Sequence, residues 1–461
     1  MPTNQMSKKP RVTAKQNKLD MAKAELRIGP RPLPLYLALA HMLWLNLPAA
    51  SLILKSDLTN LPNLPNLKDL ESQILNHLPK KLHEKRKQLR QLWLQLSAQN
   101  NKPGDKTAEA LFDAALHRLS QQQYKIFLDA LTRYRGSSIA RDIPEPPVIW
   151  RSGTTRLLDF STKKHTDKPV VLVIPSLINR YHVLDMDKQQ SFVRGLADAG
   201  FRPLLIDWDV PGEEEASFTF DDYLAKRLFP VLNLAKKMAG GKVHVIGYCM
   251  GGLLAAALAA HASDAIRSLM FLATPWDFHC EDSRGDASGR EQAERVKKML
   301  PHIEPILQQQ GELPVDVLQC FFISLQPFAL LDKFMRFADM KHGSAQERAF
   351  VLIEDWVNEG VPLTGKVATT CLRGWYIENT PPKGMWRVLG KAIRPQDIKL
   401  PSMHVIPQHD KIVPPASARA LAAAMRKSTV LQPEFGHISM MVNAAARDKL
   451  WPKLFSWLAS H

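Results

Sequence analysis

Cysteine is scarce in this chain. Four cysteines occur among 461 residues, and none is paired at short spacing: Cys249, Cys280, Cys320 and Cys371. Their scatter argues against a disulfide framework and against a zinc site, because both need clustered ligands. We therefore expect no metal ion or other cofactor, and a reducing, cytoplasmic location.

An uninterrupted hydrophobic run is also missing. The longest uncharged stretch, residues 33–54, contains Pro34, His41, Asn46 and Pro48. These residues disfavour a membrane-spanning helix, although the length would suffice. Two alternatives remain open: an interfacial anchor on a membrane or other hydrophobic surface, and a helix packed on the main domain. The basic N-terminal residues are followed by more charge and do not resemble a secretory signal peptide.

Acidic residues are too few to balance the basic ones. The chain has 45 Asp and Glu against 61 Lys and Arg, a formal net charge of +16. Such an excess favours anionic partners, including phosphorylated cofactors, nucleic acid and anionic lipid. The sequence has no zinc-finger spacing and no aromatic-basic recognition motif, so nucleic acid is not the expected partner. Solvated helix faces and a basic tail account for most of the charge.

The N-terminal third differs in character from the rest of the chain. Residues 1–30 are polar, basic and without apolar periodicity, which predicts a disordered tail. Residues 31–145 predict a helical region that includes the apolar segment. Its clearest helix is expected over 106–134, where apolar residues recur at helical spacing.

From Trp150 onward, short β-branched runs alternate with helical segments. This alternation is typical of a parallel sheet with helices on its faces, and we expect one α/β domain over 146–461. A long helical insertion, about 278–400, is rich in Phe, Trp and Met and is predicted to be a cap. The predicted strands are 155–160, 169–174, 202–207, 242–246, 266–272, 403–406 and 428–431.

The stretch 243–258 predicts a buried strand, a tight turn and a helix. The turn has the form Gly-x-Cys-x-Gly-Gly, with Gly247, Gly251 and Gly252 around Cys249. Small residues at these positions let a strand and a helix approach closely. The nucleophile elbow of α/β-hydrolases has this pattern, with the nucleophile at the apex. A glycine-rich turn around a buried structural cysteine is the alternative interpretation.

A thiol becomes a nucleophile only when a base takes its proton and a third group orients the base. In this fold the acid follows a late strand and the histidine follows the last one. Asp410 is the one carboxylate in the loop after strand 403–406, and His437 is the one imidazole in the loop after strand 428–431. We therefore predict Cys249, Asp410 and His437 as the catalytic residues.

Other ionisable residues fit the site less well. His409 adjoins Asp410 and should point the other way, while His244 lies inside a strand and should be packed. Asp207 and Asp209 are alternative acids, but they precede the nucleophile in the chain.

The oxyanion formed on attack needs preorganised donors. One is predicted to be the backbone N–H of Met250, at the start of the helix after the elbow. The second should come from the loop after strand 169–174, and we place it at Leu177.

Several segments together resemble the polyhydroxyalkanoate synthases. They are Val-Leu-Val-Ile-Pro-Ser-Leu-Ile-Asn-Arg-Tyr (171–181), Leu-Asp (184–185), Ile-Asp-Trp (206–208), the glycine box (247–252), Thr-Pro-x-Asp-Phe (274–278), Asp-x-Ile-Val-Pro (410–414) and Gly-His-Ile (436–438). The similarity covers about residues 145–461. It implies an α/β-hydrolase fold with a Cys, Asp and His that map onto Cys249, Asp410 and His437.

The resemblance also implies an activity. Synthases of that family are acyltransferases that polymerise (R)-3-hydroxyacyl units from coenzyme A thioesters and release free coenzyme A. They act at polymer granules, commonly as dimers, with a cap that controls access. A granule or membrane surface could be contacted through residues 33–54. Two alternatives stay open: a Cys-dependent thioesterase or esterase of the same fold, and a granule-surface scaffold without turnover.

Overall fold

The computed structural model describes residues 27–45, 91, 94–95, 106–161, 167–281, 289–325 and 329–461. The chain divides into two compact units. The first, here called the helical unit, comprises residues 1–140 and 326–358; the second, the sheet unit, comprises residues 141–325 and 359–461. Most of the predicted disordered tail, residues 1–30, lies outside the described residues.

The regular elements are numbered in chain order. The described α-helices are α1 (Leu33–Leu45), α2 (Lys106–Arg135), α3 (Phe192–Asp198), α4 (Phe220–Tyr223), α5 (Phe229–Ala239), α6 (Met250–Ala262), α7 (Gly289–Gln310), α8 (Val315–Leu325), α9 (Ala329–Ala338), α10 (Ala345–Asn358), α11 (Gly365–Thr369), α12 (Pro415–Ala424), α13 (Ser439–Val442), α14 (Ala444–Lys449) and α15 (Trp451–Ala459). The strands are β1 (Val148–Ser152), β2 (Thr155–Asp159), β3 (Val170–Ile174), β4 (Arg202–Asp207), β5 (Val243–Tyr248), β6 (Ile266–Leu272), β7 (Glu312–Leu313), β8 (Leu363–Thr364), β9 (Arg387–Val388), β10 (Lys391–Ala392), β11 (Ser402–Val405) and β12 (Ser428–Leu431). Two π-helical segments, Leu224–Leu228 and Thr370–Ile377, continue α4 and α11.

An aromatic cluster holds the helical unit together. The ring of Phe334 in α9 meets Tyr36 of α1 and Phe127 and Tyr134 of α2 edge to face, with ring centroids 5.9 to 6.0 Å apart. Edge-to-face pairs add to the stabilisation from apolar burial. Residues 326–358, predicted as part of the cap, therefore belong to the helical unit. The sequence predicted a helical segment rich in Phe, Trp and Met here, but it could not show which elements this segment packs on.

Part of the apolar segment 33–54 is a packed helix. Tyr36, Ala40 and Trp44 recur every four residues along α1 and are buried. Residues 33–45 thus form a packed helix, as one alternative expected, but the helices that it contacts, α2 and α9, belong to the helical unit. Residues 46–54 lie outside the described part of the chain. Among the described residues, no single helix has both the length and the apolar character to cross a membrane.

The core of the sheet unit is an eight-stranded sheet in the order β1-β2-β4-β3-β5-β6-β11-β12. The strands from β4 to β12 pair in parallel, while β1 and β2 pair antiparallel at one edge. All five residues of β3 are buried, as a strand covered on both faces requires. The predicted α/β fold is confirmed, and each predicted strand forms with ends shifted by at most two residues.

β1 was not among the predicted strands. It follows two prolines and is half exposed, because it lies at the sheet edge and pairs only with β2. The parallel register brings the carboxyl ends of β5, β6, β11 and β12 to one edge of the sheet, since His404 lies beside Phe271 and Val430. The loops that leave this edge carry the residues of the candidate site.

Candidate active site

Cys249 is the single residue between the end of β5 and the start of α6. Its backbone has φ +54° and ψ −125°, a conformation that residues with a Cβ atom adopt at a cost. Two hydrogen bonds hold it there: the Cys249 N–H donates to the Leu272 carbonyl at 2.8 Å, and the Cys249 carbonyl accepts from the Gly252 N–H at 2.9 Å. The turn therefore presents the thiol at the carboxyl edge of the sheet.

The three glycines of the turn are required by packing. A Cβ atom on Gly247 would lie 2.5 Å from the Gly252 Cα, and one on Gly252 would lie 1.9 Å from the Thr274 Oγ1. At Gly251 the added carbon would lie 2.1 Å from the Ile174 carbonyl oxygen. These separations are far shorter than van der Waals contact, so only glycine lets α6 pack this closely on β3 and β5.

We expect Gly251→Ala to destabilise the sheet unit strongly. The added methyl meets backbone of β3, which cannot move without breaking the central sheet, so the free energy of unfolding should fall by about 3 kcal/mol. Urea denaturation of the purified proteins measures this difference. Gly241→Ala is the matched control, since a Cβ there meets nothing within 4 Å. Equal midpoints for the two variants would contradict the packing argument.

His437 and Asp410 form a buried pair. The His437 Nδ1 lies 2.7 Å from the Asp410 Oδ2, and the two side chains are 6% and 1% exposed. The other carboxylate oxygen, Oδ1, accepts the N–H groups of Ile412 at 2.9 Å and Val413 at 2.8 Å. The Tyr248 hydroxyl donates to the His437 carbonyl at 3.3 Å. These bonds fix the orientation of the imidazole.

The charges around His437 control its protonation. Burial by itself lowers the pKa of His437, but the charges of Asp410 and Cys249, together with hydrogen bonds to both side chains, outweigh burial and raise the pKa to about 10. At neutral pH His437 is therefore an imidazolium beside the Cys249 sulfur. A cationic neighbour stabilises a thiolate, which is the nucleophilic form of cysteine.

The remaining candidate histidines lie apart from this pair. His409 is exposed, and its Nε2 lies 2.9 Å from the Glu434 Oε2. His244 is buried in β5 with its Nδ1 2.8 Å from the Ser268 Oγ, and burial, with a smaller contribution from Arg267, lowers its pKa to about 4.

The alternative acids are bound to arginines. The Asp207 Oδ2 accepts from the Arg156 Nε at 3.0 Å. Asp209 pairs with Arg180 and accepts the N–H of Val210 at 2.7 Å. Both carboxylates are thus held in ion pairs on the β4 side, Asp207 buried and Asp209 partly exposed. Asp410 is the carboxylate that contacts His437.

The predicted oxyanion donors flank the elbow. Met250 is the first residue of α6, where a backbone N–H has no acceptor within its own helix. Leu177 is buried in the loop after β3, and the next residue, Ile178, lines the cavity of Cys249 together with Met250. The assignment of the second donor to Leu177 stays a prediction.

Cys249 opens into a largely apolar cavity within the sheet unit. Its lining comes from the elbow and from the loops after β3, β6 and β11, and it also includes cap residues: Phe322, Cys371, Trp375 and Tyr376. Among the described residues, no group of His, Cys, Asp and Glu is arranged to hold a metal ion.

The sequence-based predictions missed Asn379, which holds the loop after β6. Its Nδ2 donates to the Asp277 Oδ1 at 2.8 Å, and its Oδ1 accepts the Phe278 N–H at 2.9 Å. Asp277 and Phe278 both line the cavity. The Thr-Pro-x-Asp-Phe segment contains two of these residues, but nothing local in the sequence links them to Asn379, about 100 positions later.

Two family models match the chain. Residues 169–292 match the alpha/beta hydrolase fold, and residues 134–196 match the poly-beta-hydroxybutyrate polymerase (PhaC) N-terminus. The first match contains the elbow and Cys249. The chain is a relative of the polyhydroxyalkanoate synthases.

Individual synthases show the extent of the similarity. The poly(3-hydroxyalkanoate) polymerase subunit PhaC of Haloferax mediterranei is 24% identical over 319 residues, 68% of this chain and 63% of that protein. The subunit of the same name from Allochromatium vinosum is 26% identical over 292 residues, 62% of this chain and 80% of that protein. The chain thus spans slightly less than two thirds of the Haloferax synthase.

Among solved structures, the thioesterase domain from the curacin biosynthetic pathway aligns with a TM-score of 0.41 and 15% identity, over 69% of this chain and all of that domain.

Proposed function

We propose that this chain is an acyltransferase that polymerises (R)-3-hydroxyacyl units from coenzyme A thioesters and releases coenzyme A. The observation that carries the proposal is the Cys249 elbow beside the His437–Asp410 pair. A sulfur nucleophile suits a thioester substrate, because the attacking and leaving thiolates have similar basicity. The similarity to proteins named as polymerases supports a hydroxyacyl substrate.

In the first half-reaction, the Cys249 sulfur attacks the thioester carbonyl carbon. The bond from this carbon to the coenzyme A sulfur breaks, and the leaving thiolate takes the proton of the His437 imidazolium. The N–H groups of Met250 and Leu177 are the proposed donors to the transient oxyanion. The products are free coenzyme A, neutral His437 and an acyl group on Cys249.

In the second half-reaction, neutral His437 takes the proton of a 3-hydroxyl group from another unit or from the end of the chain. Asp410 holds the imidazole in place and stabilises the cation that forms. The hydroxyl oxygen attacks the acyl carbonyl and the carbon–sulfur bond to Cys249 breaks. Each cycle consumes one thioester, forms one ester bond and restores the thiolate and the imidazolium.

Hydrolysis would follow if water attacked the acyl group on Cys249. The largely apolar cavity lining favours an organic acceptor over bulk water. We expect purified protein incubated with (R)-3-hydroxybutyryl-CoA or (R)-3-hydroxyoctanoyl-CoA to release coenzyme A and form insoluble polyester. Chromatography after methanolysis measures the amount of polyester formed. Free hydroxy acid in stoichiometric yield, without polymer, would identify a hydrolase instead.

The resemblance to granule-bound synthases extends the proposal to a cytoplasmic dimer at a polymer or membrane surface. Attachment through residues 33–54 would use the solvent-facing side of α1, where Met42 is 65% exposed, because Tyr36 and Trp44 are buried. The basic excess of the chain would favour the phosphates of coenzyme A.

A further inference from the structure

A second cavity adjoins the cavity of Cys249 within the sheet unit. We call it the side chamber. Both cavities are lined by Ile178, Met250, Phe322, Cys371 and Tyr376, so the two spaces adjoin along these side chains. The side chamber has an empty volume of about 590 Å³, a figure that includes open solvent at its entrance.

The walls of the side chamber are apolar. Apart from the shared residues, aliphatic and aromatic side chains line it, most of them from α7 and α8, with Met299 and Leu318 among them. Burial raises the pKa of Cys371 far above its ordinary value, so its thiol is neutral. Burial likewise raises the pKa of the Tyr376 hydroxyl far above its ordinary value, so this group is also neutral. Among the described lining residues there is thus no charged group, and a ligand of this chamber gains only from apolar contact.

We propose that the side chamber binds the alkyl side chain of the hydroxyacyl unit held on Cys249, which makes medium-chain (R)-3-hydroxyacyl-CoA the preferred substrate class. This inference rests on the proposed acyl transfer at Cys249. With the acyl carbon at the Cys249 sulfur, the alkyl branch would extend past the five shared side chains into the adjoining chamber. Burial of each methylene stabilises the bound state, so affinity rises with chain length until the chamber is full.

Single-turnover acylation tests the proposal separately from polymer formation. Coenzyme A release and the mass of the acyl-enzyme are followed with (R)-3-hydroxybutyryl-CoA and (R)-3-hydroxyoctanoyl-CoA. For the unmodified chain we expect the octanoyl substrate to acylate with about tenfold higher kcat/KM. Met299→Trp fills the chamber. It should lower kcat/KM for acylation by the octanoyl substrate about tenfold and leave kcat/KM for the butyryl substrate within about twofold.

Met385→Trp is the matched control, because Met385 is 62% exposed and absent from both linings. It should change neither rate. Leu318→Trp fills the chamber from α8 and should give the same result as Met299→Trp. The second variant keeps the test valid if one of the two proteins misfolds.

Three outcomes would overturn the inference: a butyryl preference in the unmodified chain, equal loss of both substrates in the two chamber variants, or slowed elongation with unchanged first acylation. The last would place the growing polymer in the chamber. If neither substrate acylates Cys249, the proposed function itself fails.

Discussion

Cys249→Ala is expected to lower the rate of coenzyme A release from (R)-3-hydroxyacyl-CoA by at least about 10³-fold. The sulfur is the only atom at the elbow that can form the acyl-enzyme, and neither half-reaction proceeds without that intermediate. The side chain is 9% exposed and small, so its removal leaves β5 and α6 intact. A thiol-reactive dye measures coenzyme A release, and mass spectrometry should detect no acylated protein.

Cys320→Ser provides the matched control for this loss. Cys320 is a half-buried free cysteine in α8 and does not line the cavity of Cys249. Its replacement should leave the rate within about twofold, as is usual for changes away from the reacting atoms. A Cys249→Ala protein that kept its full rate would exclude the acyl-enzyme mechanism. A normal cellular phenotype for that variant would favour the scaffold alternative.

Asp410→Asn is expected to lower the same rate by about 10³-fold while preserving the fold. The amide keeps the shape of the carboxylate and can still accept the N–H groups of Ile412 and Val413 through its oxygen. It removes the negative charge that stabilises the His437 imidazolium. The pKa of His437 should therefore fall from about 10 toward its ordinary value, which NMR of the imidazole signals can follow.

The free energy of unfolding should also depend on the interaction between Asp410 and the His437 imidazolium. Because the pKa of His437 is higher in the folded protein than in the unfolded chain, the pair stabilises the fold fully below about pH 6.5. That stabilisation disappears as the pH rises through about 10. The difference in unfolding free energy between unmodified protein and Asp410→Asn should thus narrow from pH 6 to pH 10.

Glu434→Gln is the matched control for Asp410→Asn, because Glu434 pairs with the exposed His409 at 2.9 Å. An exposed pair of this kind contributes little, so its loss should change neither the rate nor the pKa of His437. An Asp410→Asn protein with an unchanged His437 pKa would refute the assigned electrostatics.

The local parts of the fold followed from the sequence. Strands such as Arg202–Asp207 and Ile266–Leu272 were predicted at their observed bounds, because a fully buried strand needs a short apolar run. The glycine turn at 247–252 predicted a strand-to-helix elbow, since only glycine tolerates such close backbone contact. Chain order placed Asp410 and His437 in two loops, and the structure joins them at 2.7 Å. Their catalytic role stays a prediction.

Tertiary structure alone decided the rest. Residues 326–358 belong to the helical unit because α9 packs on α1 and α2. A sequence pattern does not show which other helix an apolar helix face contacts. Asn379 became the support of the loop after β6 through two hydrogen bonds across about 100 positions. The side chamber is lined by Met250 of the elbow and by residues of α7, α8 and the segment 363–376, which come together only in the folded chain. All three features depend on contacts between segments that are far apart in the chain. Such contacts form when the side chains pack together, and no local sequence pattern reveals them.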